Sequence, residues 1–95
     1  MEEKKSEVKV SVGETITLDL LPVGCSGVIV KIENSGRIKR RLFDMGLTPN
    51  TEVFVRKKAP LGDPIEITIR GYELSLRKAE AEFASVTITE VGGNK

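Results

Sequence analysis

The chain contains no histidine and no tryptophan, and its 95 residues include one cysteine, one tyrosine and three phenylalanines. With no imidazole and a single thiol, the usual nitrogen and sulfur ligands of a tightly held transition metal are missing, and a structural zinc site is excluded. The same absences remove the Ser-His and Cys-His pairs on which much nucleophilic catalysis depends. Cys25 has no partner for an internal disulfide, and with no signal-like segment the chain reads as a reduced, intracellular protein. Phe43, Phe54, Tyr72 and Phe83 are too few to line a polyproline groove or to build a base-stacking platform. No apolar run approaches the roughly 20 residues that span a bilayer, so the chain is not a pore. Charge of neither sign dominates, since 15 Lys and Arg face 14 Asp and Glu for a net +1. No global field therefore draws the chain to nucleic acid or to an anionic membrane, and stable nucleic-acid binding is not expected.

What is present is a chain of alternating apolar residues punctuated by glycine and proline. One small domain fits this length, burying only about 60 to 65% of its unfolded surface. Residues 1–14 are rich in Lys and Glu, with only Val8, Val10 and Val12 alternating, and are expected to form a flexible N-terminal tail. The domain is expected over residues 15–91, and residues 92–95 as a flexible C-terminal end. Ile16, Leu18 and Leu20 alternate as a strand, and a bend at Leu21-Pro22-Val23-Gly24 and Ser26-Gly27 leads to a second strand at Val28 to Ile32. Asn34 or Ser35 can cap a helix in which Ile38, Leu42 and Met45 recur on one side and Arg37, Lys39, Arg40 and Arg41 fall mostly on the other. Gly46 suits the left-handed residue that ends it. A turn at Pro49-Asn50 precedes a strand from Glu52 to Lys58.

The hairpin from Ile65 to Leu76 is the clearest pattern. Ile65, Ile67, Ile69, Tyr72, Leu74 and Leu76 alternate with polar residues, with Gly71 where a positive φ is needed. A helical turn at Lys78 to Glu82 and a closing strand with Val86 and Ile88 follow. These elements predict a mainly β fold, a small antiparallel β-barrel of five to six strands with one short α-helix, and Ile65, Ile67, Ile69, Tyr72, Leu74, Leu76, Val86 and Ile88 as its core.

The candidate chemistry is sparse. Asp44, Asp63, Glu66 and Glu73 lie near the most distinctive segments but lack metal-ligand spacing. Gly24-Cys25-Ser26-Gly27 matches the GxxG loop of KH domains, yet it precedes a strand instead of joining helices, so it reads as a turn with a small buried thiol. The basic set Arg37, Lys39, Arg40 and Arg41, with Arg56, Lys57 and Lys58, reads as a solvated face. The alternative is a phosphate patch, which the scarce aromatics oppose. Arg41 invites comparison with an arginine finger directed at a GTPase, against which stand its place beside the core-facing Leu42 and a local role, pairing with Asp44 or capping the barrel.

Two segments carry a resemblance. Ala59-Pro60-Leu61-Gly62-Asp63-Pro64, followed by Gly71-Tyr72 and Leu74, and the upstream Arg41-Leu42, Met45-Gly46-Leu47 and Pro49 are similar to the ferrous iron transport protein A (FeoA) family. The match runs from about Leu18 to Val86. It departs at Asn50, where the family usually has glycine; asparagine is the best substitute at a positive-φ position. The resemblance implies an SH3-like barrel whose structural motif residues are Leu42, Met45, Gly46, Leu47, Pro49, Gly62, Pro64, Gly71 and Tyr72. It implies a stand-alone cytosolic accessory protein, not an enzyme and without a cofactor. The implied partner is a membrane ferrous iron permease with a cytosolic GTPase domain, met at the inner face of the membrane. Homo-oligomerisation is left open.

Partner-binding candidates are Pro60, Leu61 and Asp63 in the proline-flanked loop and Arg37, Arg40 and Arg41 on the helix. Leu61 is either an apolar anchor for the partner or a plug for the barrel's open end. A second reading is a trans-acting module like the C-terminal barrel of metal-dependent transcriptional regulators. A third is a small RNA-binding barrel.

Overall fold

Among the described residues, six antiparallel strands form one sheet in the order β1-β6-β2-β3-β4-β5. They are β1 (Thr15–Thr17), β2 (Ser26–Ile32), β3 (Glu52–Lys58), β4 (Ile65–Ile69), β5 (Tyr72–Leu76) and β6 (Ala84–Glu90). Helix α1 (Arg37–Asp44) joins β2 to β3, and the single turn α2 (Lys78–Ala81) joins β5 to β6. The computed structural model describes residues 10–33 and 36–92. The expected helix caps Asn34 and Ser35, and the outer parts of both expected flexible ends, lie outside the described residues.

Register irregularities between Ser26 and Gly27, between Ile29 and Lys31, and between Val55 and Lys57 bend the long central strands. The sheet thereby wraps around a core that includes Leu18, Ile29, Leu42, Val53, Ile67 and Val86, all buried. Strands β1 and β5 do not pair with each other, so the small barrel stays open between its end strands.

Alternation explains β4, where Ile65, Ile67 and Ile69 are buried between half-exposed Glu66 and Thr68. The hairpin turn takes positive φ at two residues, Arg70 (φ 46) and Gly71 (φ 85), the pattern of a tight two-residue hairpin. Asn50 also has positive φ, at 76. It follows Pro49 in a turn closed by Thr51 N–H donating to the Thr48 carbonyl at 3.1 Å.

Three expectations are corrected. The strand drawn through Leu20 ends at Thr17, and residues Leu18–Leu20 form a 3-10 turn. Its three-residue period buries Leu18 and Leu21 together and leaves Leu20 half exposed. Tyr72 and Leu74, expected in the core, lie on the edge strand; Tyr72 is 45% exposed and Leu74 only partly buried. Residues 10–14, assigned to the tail, run along β6: Gly13 N–H donates to the Ile88 carbonyl and Ile88 N–H to the Glu14 carbonyl, each at 2.8 Å, while Val10 packs on the core.

Candidate functional site

The loop between β3 and β4 is built by its prolines and glycine. Gly62 N–H donates to the Ala59 carbonyl at 2.7 Å, and Ala59 N–H to the Pro64 carbonyl at 3.0 Å. Pro60 thus occupies the second position of a tight turn, which its fixed φ suits. Leu61 is left at the tip, 92% exposed. It touches no core, so the plug reading is overturned: the turn's own hydrogen bonds hold the leucine outward.

Asp63 does not reach outward in the same way. Its Oδ1 accepts the Lys78 backbone N–H at 3.0 Å and lies 3.9 Å from the Arg77 guanidinium. Glu80 Oε1 accepts the Arg77 N–H at 3.0 Å. Together these carboxylates satisfy the first orphan donors of α2 and complement its positive end.

Helix α1 is tied to α2 by one ion pair. Arg41 Nε lies 2.6 Å from Glu80 Oε2, a carboxylate only 14% exposed, so the arginine pairs with Glu80 and not with Asp44. The loop and the basic helix are therefore both fastened to α2. Arg37 and Arg40 are exposed and form no ion pair among the described residues, while the Lys39 ammonium sits 5.7 Å above the Phe43 ring.

The helix end is fixed by backbone geometry. Leu47 N–H donates to the Leu42 carbonyl and Gly46 N–H to the Phe43 carbonyl, both at 2.9 Å, with Gly46 at φ +97, the Schellman arrangement. Tyr72 Oη donates to the Met45 carbonyl at 2.6 Å, and a Cβ on Gly46 would lie 2.5 Å from that hydroxyl. Of the motif residues, Leu42 and Leu47 are buried, Met45, Gly46, Gly62 and Pro64 are half-buried, and Pro49, Gly71 and Tyr72 are exposed.

The carboxylates near the motifs are mostly engaged. Glu66 and Glu73 share Arg56, at 3.3 and 3.2 Å. At the end of β3, Lys58 Nζ donates to the Asp19 carbonyl at 3.0 Å, and Asp19 Oδ1 is buried without a hydrogen-bond partner among the described residues. Burial lowers the Lys58 pKa from its ordinary 10.5, opposed by the Asp19 charge and assisted by the like charge of Lys78. Cys25 is buried, its Sγ accepting the Gly92 N–H at 3.5 Å. No helix of the described residues is long and apolar enough to cross a membrane.

Sequence reasoning missed a shallow groove of about 630 Å³ on the outer sheet face, lined by Ser26, Phe54, Thr68 and Arg70 among others. The one signal for it was an arginine at a turn position that favours Asn, Asp or Gly.

Residues 16–88 match the FeoA domain. A curated relative, the Fe(2+) transport protein A/Fe(2+) transporter FeoB fusion protein of Porphyromonas gingivalis, is 34% identical over 71 residues. That alignment covers 75% of this chain and 8% of the fusion protein, so the chain spans a small part of that relative. Among solved structures, the FeoA-like protein of Clostridium acetobutylicum superposes with a TM-score of 0.78 at 33% identity, over 85% of this chain and 94% of that one. The FeoA of Stenotrophomonas maltophilia, solved in complex with zinc and described as a prokaryotic SH3 domain protein, gives 0.67 at 29% identity over 75% and 88%. The expected SH3-like barrel is thus the fold that is found.

Proposed function

The chain belongs to the FeoA domain family, and from that premise we propose that it is a non-catalytic accessory protein of ferrous iron uptake. In this reading it binds the cytosolic part of a GTPase-coupled ferrous iron permease at the inner face of the membrane. The observation that supports it best is the Porphyromonas gingivalis protein in which a domain similar to this chain shares one polypeptide with FeoB. Covalent joining raises the effective concentration of two modules that act in contact. The contact surface proposed is the Pro60-Leu61 tip together with the exposed Arg37 and Arg40 of α1. A preformed apolar tip loses little entropy when it is held by a partner. Arg41 and Asp63 serve this surface indirectly, by fastening α1 and the loop to α2.

Retention of the protein on membranes carrying the permease tests the reading. Leu61→Asp is expected to lower retention and ferrous iron uptake while leaving stability within about 0.5 kcal/mol, since the side chain buries nothing. Undiminished retention would move the contact to the helix, where Arg37→Glu with Arg40→Glu tests it in turn. Failure of the unsubstituted protein to be retained would reject the accessory role.

A further inference from the structure

We infer that the outer-face groove between Phe54 and Arg70 receives an acidic side chain of a partner polypeptide. The inference rests on the accessory reading for the partner's identity, but its geometry stands apart from the Leu61 loop. Arg70 is exposed, and one of its guanidinium nitrogens donates to Thr51 Oγ1 at 3.3 Å. Thr51 is 2% exposed and is itself within 3.1 Å of Thr48 Oγ1 and 3.4 Å of the Gly46 carbonyl. The arginine is thereby braced from behind by a buried hydroxyl, and its remaining donors are free for a planar acceptor such as a carboxylate.

No acidic side chain among the described residues forms an ion pair with Arg70, although Glu52 lines the same groove. Arg56, the other arginine of this sheet face, is already engaged by both Glu66 and Glu73. An incoming carboxylate is therefore repelled at Arg56 and drawn to Arg70.

The floor of the groove suits an apolar neighbour of that carboxylate. Phe54 pairs across the strands with Ser26 on one side and Thr68 on the other, and the residue is 39% exposed. Of these two short hydroxyl side chains Ser26 is buried, at 7% exposure, and the half-buried Thr68 can offer a hydrogen bond beside the ring. Backbone cost points the same way. Arg70 holds φ 46 in a turn where Asn or Gly would be unstrained, and strain retained at an exposed position is a mark of a functional site.

The test uses the full chain and three capped dipeptide probes: N-acetyl-Leu-Glu-amide, N-acetyl-Leu-Gln-amide, and N-acetyl-Leu-Ala with a free C-terminal carboxylate. Amide chemical shifts of Ser26, Phe54, Thr68 and Arg70 are expected to move with an acidic probe and not with the glutamine one. Response to the Glu probe supports the inference, and response to the Leu-Ala probe alone, which would assign a chain terminus, overturns it. No response to either overturns the inference. Arg70→Asn creates the favoured Asn-Gly turn, so it keeps the fold, and is expected to weaken the responsive probe at least about tenfold; unchanged affinity overturns the assignment. Phe54→Ser should weaken it as well. On permease membranes, Arg70→Asn is expected to reduce retention. Equal retention of Arg70→Asn and the parent rejects the groove while leaving the accessory reading intact. If the parent itself is not retained, the accessory reading fails and the dipeptide titration decides the groove alone.

Discussion

Gly46 and Tyr72 are far apart in sequence and meet at the end of α1, where each explains the other. The tyrosine hydroxyl takes the Met45 carbonyl, and the glycine leaves room for it. Gly71 also has positive φ, but a Cβ there would meet nothing within 4 Å. The two glycines should therefore respond differently. Gly71→Ala is expected to cost about 1 to 2 kcal/mol, the backbone penalty alone, and Gly46→Ala clearly more, because the Tyr72 ring must also move. Denaturant midpoints compare them directly, and equal losses would mean that the Tyr72 contact carries no energy. In the core, Ile67 is fully buried on the central stretch of β4, and Ile67→Ala is expected to cost about 2 to 5 kcal/mol. A loss below about 1 kcal/mol would contradict the packing described.

At the scale of elements, legibility in the sequence followed period. The β4–β5 hairpin was readable because its alternation is strict and its turn ends in glycine. The first strand was misread because Leu18, Leu20 and Leu21 satisfy both a two-residue and a three-residue spacing, and only the packing of Leu18 with Leu21 selects the second. Tyr72 was misplaced because alternation reports which face a residue takes and not whether the strand is an edge. The proline-flanked loop was legible as a rigid feature, but whether Leu61 turned inward or outward depends on hydrogen bonds 59–62 and 59–64 that no spacing encodes. Helix α2 was foreseen as a turn, yet its pairing with Asp63 and Arg41 joins residues distant in the chain. That pairing yields a prediction. Asp63→Ala should cost about 1 kcal/mol, comparable to the loss of a helix cap, and Asp63→Asn less, since the amide oxygen can still accept the Lys78 N–H. Urea denaturation of both variants checks the order; a neutral Asp63→Ala would show that the loop is not held by α2.

At the scale of the whole molecule, the one buried polar side-chain atom left unsatisfied among the described residues lies beside Lys58 at the end of β3. Asp19 Oδ1 has no hydrogen-bond partner among the described residues, and Lys58 reaches its backbone carbonyl instead of completing an ion pair with its side chain. Burial disfavours the ammonium more than the Asp19 charge favours it, so the folded-state pKa of Lys58 lies below 10.5. The sign of the pH dependence follows. Between the lowered folded value and 10.5 the unfolded chain binds more protons than the folded one, so stability rises with pH across that interval. The contribution is complete above the ordinary lysine value and is lost as pH falls through the folded pKa. Removing the amine while keeping the aliphatic stem should abolish this component. The protein and its Lys58→Met variant are therefore expected to show different pH slopes on the alkaline side, with the parent gaining stability relative to the variant as pH rises. Urea denaturation of both across that range is the measurement, and the difference between the two curves isolates Lys58. Parallel curves would mean that Lys58 is as well solvated in the folded barrel as in the unfolded chain.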